Sequence, residues 1–507
     1  MKFTSKVSPN YRDTQSTTSI MLTLTVGLCC VYAFSLYYYF SNYSSSIAMR
    51  AVGIMVVAVV SGVMTEVLWA LCTKKSVVSY ITKSYPWITG MILALIVPIN
   101  TSYYALAVTT VLSLVFGKLL FGGFGQNIFN PAGIGRAIIF SAFTTAVVAD
   151  ITTGATPTQT MNSLGWIIQD ASKLDAFIAQ FGGFQNLFIG LYPGALGETS
   201  TLVILLVGVV LAIRKVIDWR VPTVYLGTLF VLASIAGCIN GAGLWYPLFH
   251  LLTGGAVFGA VFMLTDPVTN PTSTTGRIIF AMGAAIITFV IRVFGNLPEG
   301  VVFSILIMNL LTPLIEKITD GEQVRMLKKY RNLTLLVASC GILISLFAGF
   351  SLKPVAINHD EDPIEDLPEV SLGTPIAVND EILNRYQGEI LSETSEGNLT
   401  TYHVAVNGYG LVDDDGSHGL DYSQNEYEIV VDTESMTLVS ITYLHFGDTK
   451  GFGDKTMNEG YYATFVGMSM KDYEQEADVV SGATMTSRSM INAIRIVMDA
   501  LGEWEDE

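Results

Sequence analysis

Long apolar runs separated by short polar stretches fill the first two thirds of the chain. After a polar segment over residues 1–18, a first run extends from about Ser19 to Phe40. Others fall near 49–72, 86–99, 101–121, 136–149, 199–213, 221–240, 247–265, 277–296, 300–316 and 333–352. A run of about 20 apolar residues crosses a bilayer core as a helix, so the pattern predicts about eleven spans. The runs at 86–99 and 136–149 are short and predict broken or tilted helices. The first run lacks a small-residue cleavage site and reads as a retained span. Beyond about Leu372 the period shortens. Thr401–Val406, Tyr427–Val431 and Met436–Leu444 predict strands, with turn clusters at Asp413–Gly416 and Thr449–Gly453. Helical spacing returns over Asn379–Gln387 and Ser489–Leu501.

Composition agrees with a membrane protein: 51% hydrophobic, 14% charged, mean hydropathy +0.50. Charge is divided unevenly, +8 over 1–352 and −24 over 353–507. A mildly basic apolar part therefore precedes a strongly acidic soluble one, joined by the acidic, proline-bearing stretch Asn358–Glu369. No basic patch accompanies the aromatics, which argues against a nucleic-acid partner. The five cysteines lie in or beside apolar runs without C-x-x-C spacing, and the acidic part has none. No metal or iron–sulfur ligand set emerges.

Lysine and arginine in the loops orient the chain. With the N-terminus inside, the loops bearing Lys74, Lys75 and Lys83, then Arg214, Lys215 and Arg220, then Lys317, Arg325, Lys328, Lys329 and Arg331 all fall inside. The acidic loop 150–198 and the C-terminal part fall outside. An internal repeat is hinted at by Thr89–Gly90 and Thr253–Gly254, and by Gly122…Asn127…Asn130–Pro131 against Gly295…Asn309…Pro313. Interrupted segments in matching places of two halves point to a site near the bilayer midplane.

The candidate chemistry centres on Asp478–Ser487, DVVSGATMTS. Ser481, Gly482, Ala483 and Thr484 are small or polar, and an apolar helix pattern starts behind them. A helix N-terminus offers free N–H groups and a positive dipole end, which suit a phosphate. The same pattern, TGAT, occurs at Thr153, Gly154, Ala155 and Thr156, again behind an aspartate, Asp150. Thr484 could equally be a plain helix cap, and Thr156 a loop threonine beside Pro157.

The two motifs resemble the [S/T]GAT sequence of the Rnf and Nqr respiratory complexes, where FMN is esterified through its phosphate to the last threonine. The resemblance implies covalent FMN on Thr484 and Thr156. His445–Lys455 (HFGDTKGFGDK) resembles the H-x-E-T-P-G-L-G-x-K segment of the RnfG family, with Asp448, Lys450 and Phe452 departing from it. It implies that His445, Gly451 and Gly453 lie near a flavin. As ordinary residues, His445 is a solvated strand end and the glycines are turn formers.

The membrane part is similar to RnfD and NqrB through GGFGQNIFNP (Gly122–Pro131), GETS (Gly197–Ser200), WRVP (Trp219–Pro222), HLLTGGAVFGAVFMLTDPVTNP (His250–Pro271) and PEGVVF (Pro298–Phe303). Asn130, Thr265 and Asn309 could bond a flavin ring or a riboflavin, or only backbone where helices break. Asp266 and Arg277 bracket an irregular stretch at a span end, where charges default to function or pair with each other. Glu66 and Lys118, inside apolar runs, suit an ion route or a buried ion pair.

Taken together, the resemblance implies a natural RnfD–RnfG fusion. Its fold would be a bundle of about ten spans in two repeats, similar to urea channels, with an eleventh anchor span and an α+β domain. The boundaries would be 1–325 (with the FMN loop at 150–198), 326–357 and 358–507. The implied protein sits in the bacterial cytoplasmic (inner) membrane as a multi-pass subunit of an ion-translocating ferredoxin:NAD+ oxidoreductase, its C-terminal domain outside. It carries two covalent FMN groups, with riboflavin as a further candidate. Its partners are the other membrane and iron–sulfur subunits, lipid, and a flavin transferase. The alternatives are a subunit of an Nqr-type NADH:quinone reductase, or a channel or transporter with an external binding domain. An extracytoplasmic sensor would need a signalling domain inside.

Overall fold

The computed structural model describes residues 15–42, 45–143, 156–163, 165–168, 174, 177–179, 181–192, 194–198, 200–295, 300–319, 327–352, 376–377, 387–408, 424–446, 453–457, 459–469, 476–477, 479–480 and 483–503. Each of the eleven apolar runs meets a helix. Among the described residues, six helices are long and apolar enough to cross a membrane alone: α1 (Thr17–Asn42), α2 (Ser45–Cys72), α10 (Arg220–Ile239), α13 (Thr274–Phe294), α14 (Val301–Thr319) and α15 (Leu327–Ser351). The chain is a polytopic membrane protein.

The remaining apolar helices are shorter or broken. In chain order they are α3 (Val77–Ser84), α4 (Pro86–Ile96), α5 (Tyr103–Leu114) and α6 (Pro131–Ala142) in the first half. In the second, α9 (Thr201–Ile213) precedes α11 (Trp245–Leu252) and α12 (Ala256–Phe258). Two short helices, α7 (Pro157–Ser163) and α8 (Gly183–Ile189), lie in the polar loop. The 61° bend between Trp245–Leu252 and Ala256–Met263 breaks one span.

The two-repeat expectation takes a definite form. In each half a helix stops, the backbone runs extended or turned, and a second helix widens into one π-helical turn: Val115–Leu119 after α5, Gly259–Met263 after α12. Such π-turns occur often at functional sites. An Asn-Pro pair then precedes the next helix. The counterpart of Asn130–Pro131 is thus Asn270–Pro271, which lies nearer its π-turn than Asn309 and Pro313, both inside α14.

Both interruptions are stabilised by a buried or half-buried arginine. Arg50 donates to the carbonyls of Ile99 and Thr101 at 2.8 and 2.7 Å. Arg292, fully buried, donates to those of His250, Thr253 and Gly254 at 2.6, 2.9 and 3.1 Å. Carbonyls freed where a helix ends inside an apolar bundle need such donors.

The soluble part holds a four-stranded antiparallel meander of β2 (Gly388–Glu396), β3 (Leu399–Asn407), β4 (Gln424–Asp432) and β5 (Thr437–His445). A short pair, β1 (Ile376–Ala377) with β6 (Glu476–Ala477), lies apart from it in sheet order, and α16 (Glu459–Tyr462) is a single turn. Alternation sends Tyr402, Val404 and Val406, then Tyr427, Ile429 and Val431, to one face. The amphipathic α17 (Thr484–Glu503) covers that face with Met490, Ile491, Ile494, Val497 and Met498, all fully buried. This matches the α+β expectation. The predicted helix over Asn379–Gln387 lies mostly outside the described residues, as does the linker.

Candidate functional site

Thr156 stands immediately before α7. Its hydroxyl accepts from the Gln159 amide at 3.3 Å, and its own amide donates to Gln159 Oε1 at 3.0 Å. The sequence Thr-Pro-Thr-Gln thereby closes a reciprocal capping box, with proline at the first helical position. The Thr156 and Thr158 hydroxyls are 3.1 Å apart. Thr153, Gly154 and Ala155 lie outside the described residues.

The loop bearing Thr156 is seated on the broken span. Thr158 is 1% exposed. A Cβ placed on Gly254 would lie 2.8 Å from its methyl and 2.7 Å from Arg292 Nη2, so only glycine, here at φ +65°, admits both neighbours. Trp166 stacks on His250 with ring centroids 5.2 Å apart and planes 19° from parallel. Both residues are buried. At the same break, Gly255 leaves room for the Glu198 carboxylate beside the start of α12, where an acidic group complements the helix dipole.

The second GAT motif lies at the other end of the chain. Helix α17 begins at Thr484, as the small-residue cluster predicts. Ser481 and Gly482 lie outside the described residues, but their flanks are fixed. The Ala483 amide donates to the Val480 carbonyl at 3.0 Å, closing a turn. The Val480 amide donates to Ser487 Oγ at 2.9 Å, and Ser487 Oγ to the Ala483 carbonyl at 3.0 Å. The first turns of α17 are therefore tied to the segment before it, with Ala483 buried.

A line of hydroxyls joins this helix to the second motif. Asn425 and Tyr427 of β4 both donate to Ser489 Oγ, at 3.3 and 3.1 Å. Tyr427 and Tyr443 hydroxyls are 3.3 Å apart, and Tyr443 and Thr456 hydroxyls 2.8 Å. Thr456 in turn donates to the carbonyl of Gly453 at 2.6 Å, where Gly453, itself buried, opens a 3-10 turn. His445 ends β5, half-buried, paired with Glu426 across the ladder. Gly451 lies outside the described residues. Sequence reasoning missed Asn425, Tyr427, Tyr443 and Ser489. Period-2 spacing places Tyr427 inward, but nothing local shows that its hydroxyl continues to α17.

Inside the bundle, the π-turns and the loops behind them wall a small cleft of about 90 Å³ between the two halves. Its polar lining is Ser84, Thr89, Lys118, Asn127, Asn130, Thr265 and Asp266, against apolar walls from α1, α4 and Phe262. This is the mixture expected of a small-molecule site. Asn130 caps α6, accepting from Gly133 at 3.3 Å, and its side chain reaches the Met263 carbonyl of the second π-turn at 3.5 Å. Thr265 bonds back to the Val261 carbonyl at 2.5 Å. Asp266 accepts from the Val268 amide at 3.1 Å. The buried Ser84 hydroxyl is paired with the Tyr80 hydroxyl at the edge of the cleft.

Two other sequence candidates stand back from the cleft. Asn309 accepts from the Asn130 amide at 3.0 Å and so supports a lining residue. Arg277 does not pair with Asp266. It donates to Asp218 at 2.7 Å and to the Pro271 carbonyl at 2.9 Å, holding the loop in front of α13. Glu66 and Lys118 form a fully buried ion pair of 2.7 Å.

Comparison with known proteins agrees with this architecture. Residues 4–325 match the NQR2, RnfD, RnfE family, and residues 423–499 match the FMN-binding domain. The chain is similar to the D subunit of the proton-translocating ferredoxin:NAD(+) oxidoreductase complex of Clostridium ljungdahlii, 34% identical over 63% of this chain and 95% of the relative. It is similar also to the D subunit of the Na(+)-translocating ferredoxin:NAD(+) oxidoreductase complex of Acetobacterium woodii, 32% identical over 63% of this chain and 94% of the relative. A third relative, the D subunit of the ion-translocating oxidoreductase complex of Stutzerimonas stutzeri, is 37% identical over 46% of this chain and 73% of the relative. The first two relatives are matched along nearly their full length by under two thirds of this chain. The remainder holds the FMN-binding match. The chain therefore belongs to the NQR2, RnfD, RnfE family and carries an FMN-binding domain in the same polypeptide.

Proposed function

We propose that this chain is the flavin-carrying electron-transfer subunit of an Rnf-type ion-translocating ferredoxin:NAD+ oxidoreductase, with FMN esterified to Thr156 and Thr484. One observation carries the reading: Thr156 immediately precedes α7 and Thr484 opens α17, so both acceptors meet a helix N-terminus. The positive dipole end there favours a phosphate. A bound flavin supplies the electron chemistry; the protein supplies position. The Thr156–Gln159 box fixes one acceptor, and the Gly254 and His250 contacts seat it on the bundle. The Val480–Ala483 turn and Ser487 fix the other. The hydroxyl line ties Gly453 to the sheet and to α17.

The cleft is the proposed place of a riboflavin, with Asn130, Thr265 and Asp266 lining it and Asn309 holding Asn130. Arg277 acts through the loop that it ties to Asp218. The proposed units are 1–325, 326–357 and 358–507. The basic loops support an inside N-terminus, with Thr156 and the C-terminal domain outside, in a bacterial inner membrane. Partners are the other membrane and iron–sulfur subunits and a separate flavin transferase. The names of the relatives favour Rnf over Nqr, and a channel has no use for two such threonines.

The test is in-gel fluorescence of the denatured protein, expressed with a flavin transferase. Thr156→Ala and Thr484→Ala should each remove part of the signal, and the double variant all of it. Undiminished fluorescence in the double variant contradicts the assignment, and a dark wild-type band favours the channel.

A further inference from the structure

A second, open pocket of about 480 Å³ lies apart from the flavin-acceptor threonines. It sits where the membrane-crossing α2 ends at Cys72 and the short α3, Val77–Ser84, leads back into α4. Lys75 and Lys83 stand in its wall, and among the described lining residues there is no acidic side chain. Both lysines are exposed, and neither enters an ion pair among the described residues. The Lys75 ammonium lies 5.1 Å from the centroid of the Tyr80 ring, which holds one cation at the pocket. The Ser76 hydroxyl precedes α3 without capping it, and Ser79 adds a second exposed hydroxyl. Gly122 and Gly123, at φ +116° and +102°, complete the wall. A Cβ on Gly123 would lie 3.3 Å from the Tyr80 hydroxyl. The Ser84 carbonyl accepts from Lys118 at 2.6 Å, and Lys118 already holds the Glu66 carboxylate, so Glu66 does not neutralise Lys75 or Lys83.

We propose that this pocket binds the phosphate of an anionic phospholipid. Two ammonium groups and two hydroxyls converge as donors, and a phosphate oxygen is their strong, charged acceptor. Apolar side chains beside the pocket favour a lipid over a free ion. Leu71, Val78 and Phe121 are 58%, 75% and 40% exposed, and Val78 and Phe121 adjoin the lining residues Ser79 and Gly122 in the chain. Acyl chains cover such side chains favourably, and inorganic phosphate offers them nothing. A zwitterionic headgroup carries its own ammonium, which the two lysines repel and for which the lining has no carboxylate. Basic pockets between membrane helices take anionic headgroups for these reasons. Phe124 lines both this pocket and the cleft between the halves, so a seated headgroup also supports the turn that walls the cleft.

The experiment uses the full-length chain, purified in detergent and stripped of lipid. It is titrated with phosphatidylglycerol while native mass spectrometry counts the lipid retained. The wild type should retain phosphatidylglycerol in preference to phosphatidylcholine. Lys75→Gln and Lys83→Gln should each weaken retention about fivefold, and together roughly thirtyfold. Lys75→Arg with Lys83→Arg should stay near the wild type. Lys215→Gln with Lys317→Gln removes the same charge from exposed lysines outside the pocket and should leave retention unchanged. Equal weakening in the two glutamine pairs would mean attraction to net charge alone and overturns the proposal. Equal retention of the two lipids overturns it as well. Inorganic phosphate that displaces phosphatidylglycerol at equal concentration would make the pocket a site for the free anion and contradict the lipid assignment.

Discussion

The hydroxyl of Thr156 accepts a hydrogen bond from the amide of Gln159, while the Gln159 side chain accepts one from the amide of Thr156. This reciprocal pair makes the threonine proposed as a flavin-phosphate acceptor also the cap of α7. Losing the side-chain half of such a box costs about 1 kcal/mol. Gln159→Ala should therefore leave the protein folded but lower flavin attachment at Thr156, with attachment at Thr484 unchanged. Peptide mapping of flavinylated tryptic fragments would show it. Equal occupancy of the two threonines in the variant contradicts the role given to Gln159.

The buried pair of Lys118 with Glu66 makes a stability prediction. Removing one partner leaves an uncompensated charge in the bundle and costs about 3–5 kcal/mol, whereas removing both is often near neutral. Lys118→Met should therefore unfold well below the wild type in detergent, and Lys118→Met with Glu66→Gln should recover most of the loss. Equal melting of all three proteins would mean that the pair contributes nothing to the fold.

Asp218 gives a pH dependence outside the spans. Burial alone would raise its carboxyl, but the Arg277 hydrogen bond, the Arg220 amide and both guanidinium charges outweigh burial and hold it below its ordinary 3.8. A depressed carboxyl contributes stability that is fully present above the unfolded value and is lost as pH falls through the lower folded one. The stability gap between wild type and Asp218→Asn should be constant from neutrality down toward 3.8 and close at more acid pH. Thermal unfolding of the two proteins across that range is the measurement, and a gap that widens on acidification contradicts the assignment.

The anchor helix α15 is fastened to the family's bundle by small residues. Gly341, Ser345 and Gly349 follow one another at four-residue spacing, a spacing that permits close helix approach in membranes. Ser345 donates to the Leu232 carbonyl at 2.5 Å, and Asn240 to the Gly349 carbonyl at 2.8 Å. A Cβ on Gly349 would come within 2.5 Å of Ile239 Cδ1 and 3.3 Å of Ala236 Cα. Cutting the chain between residues 319 and 327 should leave two pieces that co-purify, and Gly349→Leu should separate them. Co-purification unaffected by that substitution would place the attachment elsewhere.

Much of the architecture was legible in the sequence because membrane spans are set by composition over about 20 residues, which needs no partner to read. Strands β3 to β5 were legible from alternation, and the start of α17 from the small residues before Thr484. What stayed hidden depends on distant contacts. Arg277 faces Asp218, 59 positions away, rather than Asp266. The Asn-Pro counterpart of the first half is Asn270–Pro271, recognisable only once the π-turns are seen, since an extra residue in a helical turn leaves no mark on apolar periodicity. The hydroxyl line from Ser489 through Tyr427 and Tyr443 to Thr456 joins four segments whose tyrosines look like ordinary sheet core.

The central claim is that two threonines of this one chain, Thr156 and Thr484, each carry a flavin through a phosphate ester. Intact-mass analysis of protein purified from a host with a flavin transferase tests it most directly. The account predicts a mass raised by two FMN esters, falling by one with either Thr156→Ala or Thr484→Ala and to the bare polypeptide with both. A wild-type mass equal to that of the bare polypeptide from such a host would contradict it.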